Sequence, residues 1–164
     1  MEMAAHTLRT GATMTLPIRI LGGLAIGFMA IQLVPYGRAH DNPAVVQEPA
    51  WDRPETRALA ARACFDCHSN ETKWPWYSNV APMSWLVQDH VDEGREVMNF
   101  SEWNKSYDEA EEAPEVIEEG EMPMSSYLPL HPEAQLTDLE RRALIDGLKR
   151  TLGDAPGHSG GDDD

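Results

Sequence analysis

The segment Cys64-Phe65-Asp66-Cys67-His68 constrains this chain more than any other. Its two cysteines are the only ones in 164 residues, so a disulfide framework of the kind small exported domains use is not available. A zinc site would need two further ligands, and no Cys/His pair follows at finger spacing. A thioredoxin-like redox pair would sit in a βαβ pattern, and none surrounds it. On a helix, residues three and four apart share a face. Two thiols at that spacing can each bond one vinyl edge of a single haem, and the next residue then points its imidazole at the iron from the same side. The segment therefore predicts one covalent haem c, attached through Cys64 and Cys67, with His68 on the metal.

The rest of the chain divides by composition. Residues 1–15 are polar. Residues 16–36 are mainly apolar, with Arg19 as the one charge, close to the length of ~20 residues that a membrane span needs. They predict a transmembrane anchor, preferred over a cleaved signal segment because Arg38 suits a small-residue cleavage site poorly. Arg9, before the run, and Arg19, near its start, place the N-terminus in the cytoplasm. The expected location is the bacterial inner membrane, with the haem domain on the periplasmic side. Residues 37–50 read as a linker, 51–152 as the haem domain, and 153–164, rich in Gly and Asp, as a disordered acidic tail.

Within 51–152 the pattern is helical throughout, with no alternating strand. One helix starts near Asp52, with Glu55 three residues on, and leads into Cys64. A second runs from Ser84 to about Phe100, with Leu86, Val87, His90, Val91, Val97 and Met98 as its apolar stripe. An acidic helix covers Tyr107–Glu119. The last begins at a capping box, Thr137 with Glu140, and has Leu136, Leu139, Ala143, Leu144, Leu148 and Leu152 as its apolar face. A core of about 100 residues is thin on its own. A macrocycle fixed at its centre would supply apolar surface, which Trp51, Trp74, Trp76, Trp85 and Trp103 can line.

The second axial ligand decides what such a haem does. Met or His there gives an electron carrier, and an open position gives a gas binder or peroxidase. Met83, Met98, Met122 and Met124 follow the haem motif. Met98 fits the helical stripe. Met122 and Met124 lie in Gly120-Glu-Met-Pro-Met, where Gly permits close backbone approach and Pro123 stiffens the loop. Met122 is the favoured ligand and Met124 the next, with His90 and His131 as histidine rivals. Arg95 is a candidate partner for a haem propionate, since guanidinium pairs with carboxylates in bidentate fashion.

The string from Cys64 through Asn70-Glu-Thr-Lys-Trp-Pro-Trp-Tyr-Ser78, then Ala81-Pro-Met-Ser-Trp85-Leu, His90-Val-Asp-Glu-Gly94-Arg95 and Asn99 to Trp103, resembles the haem-binding domain family of small monohaem c-type cytochromes. The loop Gly120-Glu-Met-Pro123 with Tyr127, Leu130, His131 and Pro132 matches the family's later portion. The resemblance covers about Trp51 to Leu152. It implies an all-α, cytochrome c-like fold, a cofactor-binding role for the matched Tyr127, and a methionine ligand from the Met-Pro element, here Met122. Where the family carries a second proline, this chain has Met124.

The formal net charge is −15, from 13 basic and 28 acidic residues. That excess argues against nucleic acid, which recruits a basic patch. It suits a redox partner that is basic or part of a larger membrane complex, approached with electrostatic steering. Eight acids crowd 108–121, next to Met122. The sequence therefore predicts a membrane-anchored carrier of single electrons, or an electron-transfer subunit of a respiratory or photosynthetic complex, and not an enzyme. The alternative is a peroxidase-like haem enzyme or a gas or redox sensor with a labile distal ligand.

Overall fold

The computed structural model describes residues 15–153. Among them are six α-helices: α1 Thr15–Ile31, α2 Pro54–Ala63, α3 Phe65–His68, α4 Met83–Val97, α5 Ala113–Glu118 and α6 Asp138–Gly153. Single 3-10 turns at Trp76–Asn79, Ala110–Glu112, Leu128–Leu130 and Pro132–Ala134 complete the regular structure. The described residues are helical, with no strand, as the sequence predicts. The polar N-terminal segment through residue 14, with Arg9, and the acidic tail from 154 lie outside them.

The described residues do not bear out the expected membrane anchor. No helix among the described residues is long and apolar enough to cross a membrane. Helix α1 has 17 residues, roughly 25 Å at 1.5 Å per residue, against a hydrocarbon core of about 30 Å. Beyond Ile31, Leu33 and Val34 N–H close a turn on the Ala30 and Ile31 carbonyls, and the Gln32 side chain bonds to the domain. The Gln32 side-chain amide donates to the Ala81 carbonyl at 2.9 Å, and its oxygen accepts from the Ala81 N–H at 3.0 Å. Arg38 in turn donates to the Gln32 carbonyl at 2.8 Å. Within the predicted 16–36 span Gln32 is thus bonded to the domain, and the inner-membrane location that rested on that span falls with it.

Residues 37–50 also run along the domain. Val46 N–H donates to the Ser101 carbonyl at 2.8 Å, Trp103 N–H donates to the Gln47 carbonyl at 2.9 Å, and Gln47 forms an isolated parallel bridge with Glu102. Glu48 accepts from both the Trp51 indole at 2.6 Å and the Arg57 guanidinium at 2.7 Å.

Helices α3 and α4, α2 and α6, and α5 and α6 pack as pairs. Phe100, wholly buried, is the aromatic hub. Its ring lies 5.1 Å from Trp51, 5.5 Å from Phe65 and 5.8 Å from Trp103. Leu144, Leu148 and Leu152 bring α6 onto this core, as the sequence pattern predicts. Leu139, placed on the same face from its spacing, is 75% exposed, and Ala143 is exposed too; Ile145 and Gly147 are buried in their place. The contact that sets this rotation is Gly147, whose bare Cα sits against the Thr56 side chain of α2. The capping box forms as predicted, with Thr137 N–H donating to Glu140 at 2.8 Å and Glu140 N–H to Thr137 Oγ1 at 3.2 Å. The acidic helix is shorter than its composition suggests. Pro114 cannot sit in a helix interior and takes a first-turn position, so α5 begins at Ala113, after a 3-10 turn.

Candidate functional site

Cys64 ends α2 and caps α3, so the chain changes direction at the first thiol. Cys67 and His68 follow within one turn, and the His68 N–H donates to the Cys64 carbonyl at 2.9 Å. Both thiols are free. Burial pushes the Cys64 thiol up to about 12, and burial with the adjacent Asp66 charge pushes Cys67 up to about 11. Neither is the depressed thiolate that nucleophilic and redox cysteines need. No cluster of three or more His, Cys, Asp or Glu able to hold a metal ion occurs among the described residues.

The imidazole of His68 is oriented from behind. Its Nδ1 lies 3.2 Å from the Met98 carbonyl, and the His68 carbonyl accepts from Phe100 N–H at 2.8 Å. The strap 98–101 is itself fixed by a buried polar knot. Asn99 donates to Asn70 at 2.8 Å, and Asn70 N–H donates to Ser101 Oγ at 2.9 Å. With Nδ1–H given to a carbonyl, Nε2 is the nitrogen left to bind metal, a tautomer set by the hydrogen bond behind the ring. Burial lowers the affinity of His68 for a second proton, opposed by the Met98 and Gly94 carbonyls, which favours the neutral, ligating form.

Two adjoining clefts open on this segment. The larger, about 270 Å³, has Cys64 and His68 on one side and Val116, Ile117, Leu144 and Leu148 on another. The smaller, about 190 Å³, is bounded by Cys64, Cys67, His68, His90, Gly94 and Tyr127. Ala63, Cys64, His68, Val97, Met122 and Pro123 line both, so the clefts are neighbouring parts of one slot. Its walls are mainly apolar, and carboxylates of Glu109, Glu112 and Glu121 stand along the wider part. The narrow part depends on Gly94. A Cβ there would lie 2.7 Å from the Cys67 carbonyl oxygen and 2.9 Å from its Cβ, so only glycine lets α4 approach the second thiol this closely.

The structure brings together some of the sequence-predicted residues and separates others. Cys64, Cys67, His68, Met122 and Tyr127 all border the slot. Met124 and His90 border only its smaller part. Arg95 borders neither part. Its guanidinium donates to the carbonyls of Ser69 and Asp41 at 2.9 and 3.1 Å, and to Asn42 Oδ1 and Thr72 Oγ1, each at 3.1 Å. It staples the segment 41–42 to the domain. Trp76, 80% exposed, lies away from the slot beside an open groove with Pro75, Tyr77, Met83, Leu130 and His131. The other tryptophans do not border the slot either. Trp51 and Trp103 join the Phe100 cluster, and Trp74 stacks on His40 at 4.8 Å. His131 is engaged at both nitrogens, Nδ1 with the Tyr127 carbonyl at 2.9 Å and Nε2 with the Tyr77 hydroxyl at 3.2 Å.

Three parts of the site carry no motif that sequence reasoning could weigh. The Met98 carbonyl acts through backbone alone. The walls Val116 and Ile117 come from the acidic stretch, where charge masks them. Asp66 sits inside the cysteine motif at a position any residue can occupy.

The donor set fits a haem. An apolar slot is flanked by two uncharged thiols and a neutral imidazole held by its far nitrogen, with a thioether on the same slot. These features define a haem-binding protein. The chain matches the haem-binding domain family over residues 26–150 and belongs to it. No curated protein and no solved structure matches it.

Proposed function

We propose that this chain is a monohaem c-type cytochrome that carries single electrons between redox partners. One observation supports this reading above the rest: His68 and Met122 border the same apolar slot, beside both thiols. The haem, when bound, supplies a reversible one-electron couple of its iron. The chain's own residues set the conditions. Cys64 and Cys67 would hold the porphyrin edge through thioether bonds. His68, oriented by the Met98 carbonyl, would ligate the iron from one side. Met122 would supply the second ligand, preferred to Met124 because it borders both parts of the slot. His131 does not compete, since both its nitrogens are already bonded. Val116, Leu144 and Leu148 exclude water, which limits reorganisation when the charge on the metal changes.

Glu109, Glu112 and Glu121 line the wider part of the slot in a chain of net charge −15. They would steer a basic redox protein toward the haem edge, with an association rate that falls as salt rises. A redox-titrated absorption spectrum of the purified protein tests the reading. It should show a low-spin haem in both states, with a far-red sulfur-to-iron band in the oxidised form that disappears in Met122→Ala. A high-spin reduced form that binds carbon monoxide rapidly would overturn it.

A further inference from the structure

Met122 lies in a loop that must be held against the cysteine motif from outside, since no helix carries it. One end is fixed by backbone: the N–H groups of Glu121 and Met122 both donate to the Val116 carbonyl of α5, at 2.9 and 3.2 Å. The other end is fixed by a side chain. The Tyr127 hydroxyl donates to Asp66 Oδ2 at 2.6 Å, across 61 positions of sequence. Asp66 lies between the two thiols, and its other oxygen accepts from Lys73 N–H at 3.0 Å, so the acceptor is itself oriented.

The Tyr127 ring is clamped as well. It stacks on His131 with centroids 3.7 Å apart and planes 8° from parallel. His131 is buried and bonded at both nitrogens, to Tyr127's own carbonyl and to Tyr77 in the turn Trp76–Asn79. Tyr127 N–H donates to the Met124 carbonyl at 2.9 Å, which ties the clamp to the Met122-Pro123-Met124 run. Burial and the Asp66 charge keep the phenol protonated, and so a donor.

We propose that Tyr127 is a positioning residue whose hydroxyl, bonded to Asp66 inside the cysteine motif, holds the Met122 thioether over the haem iron. This rests on the reading of Met122 as axial ligand. The bond joins the segment carrying the proximal imidazole to the loop carrying the distal sulfur. Its loss frees one end of that loop while leaving His68 and its Met98 partner untouched.

The test is an imidazole titration of the oxidised, haem-loaded full chain, followed by absorbance, for the parent, Tyr127→Phe, Asp66→Ala, their double variant and Met122→Ala. Imidazole binds by displacing the distal sulfur, so its affinity reports how readily that ligand leaves. Tyr127→Phe keeps the stack on His131 and loses only the hydroxyl. A part-buried hydrogen bond to a charged group predicts roughly 10- to 100-fold tighter imidazole binding and a weakened far-red sulfur band. Asp66→Ala should act in the same direction, and serves if Tyr127→Phe fails to retain haem. The double variant should be no looser than the stronger single one. Imidazole affinity and sulfur band unchanged in Tyr127→Phe, even with lowered thermal stability, would overturn the proposal. If Met122→Ala also left the band intact, the ligand assignment itself would be wrong, and the proposal would go with it.

Discussion

Replacing Gly94 by alanine tests whether the approach of α4 to the second thiol is as close as the structure has it. Two effects oppose each other. In an α-helix interior, Ala is favoured over Gly by about 1 kcal/mol. Here the added Cβ would meet the Cys67 carbonyl oxygen at 2.7 Å, its Cβ at 2.9 Å and its carbonyl carbon at 3.0 Å. None of these atoms is the free end of a flexible side chain, so α3 and α4 must separate. Overpacking of this kind costs about 1–3 kcal/mol, and rigid neighbours put the cost near the top of that range. The net is a destabilisation of about 2 kcal/mol. Urea unfolding of the haem-loaded protein reads it as a midpoint lowered by roughly 1 M with an unchanged slope, for a slope of about 2 kcal/mol/M. Gly94→Val should be worse still. A Gly94→Ala protein as stable as the parent, or more so, would show that helix propensity wins and that the two helices are not in contact here.

Other outcomes follow from single residues. Leu148→Ala removes a fully buried side chain that is both core and slot wall, and should cost about 2–5 kcal/mol in chemical denaturation. Arg95→Ala should lower stability, because four acceptors lose their donor, while leaving the haem potential unchanged in a redox titration; a large shift in potential would return Arg95 to a haem propionate. Glu140 is held at about 2, below its usual 4.5, chiefly by the Arg62 hydrogen bond. A folded-state value below the unfolded one adds stability above about pH 4.5 that is lost as pH falls toward 2. Glu140→Gln should therefore flatten the fall in thermal midpoint across that acid window.

The parts legible in sequence are those whose chemistry is local. The thiol pair and His68 are adjacent in the chain, so their spacing alone brings them to one slot. The Thr137–Glu140 box closes within one turn, so its start is readable. Leu144, Leu148 and Leu152 follow helical periodicity onto the core. The misses are tertiary. Arg95 reads as a free guanidinium until the chain brings Asp41 and Asn42 beside it. Leu139 reads as core because periodicity does not know that Gly147 is the crossing point with α2. The apolar run from residue 16 suggests a span because composition does not reveal that Gln32 and Arg38 are committed to the domain. Pro114 was the available signal for the late start of α5, and the acidic run around it obscured the point.

Covalent attachment at Cys64 and Cys67 is the claim on which the electron-carrier account depends. The direct measurement is acid-acetone treatment of the purified chain, followed by alkylation and intact mass. The account predicts that colour stays with the polypeptide, that the mass exceeds the bare chain by one haem, and that neither cysteine alkylates. Colour lost to the solvent, with a bare-chain mass and two alkylated sulfurs, would contradict it.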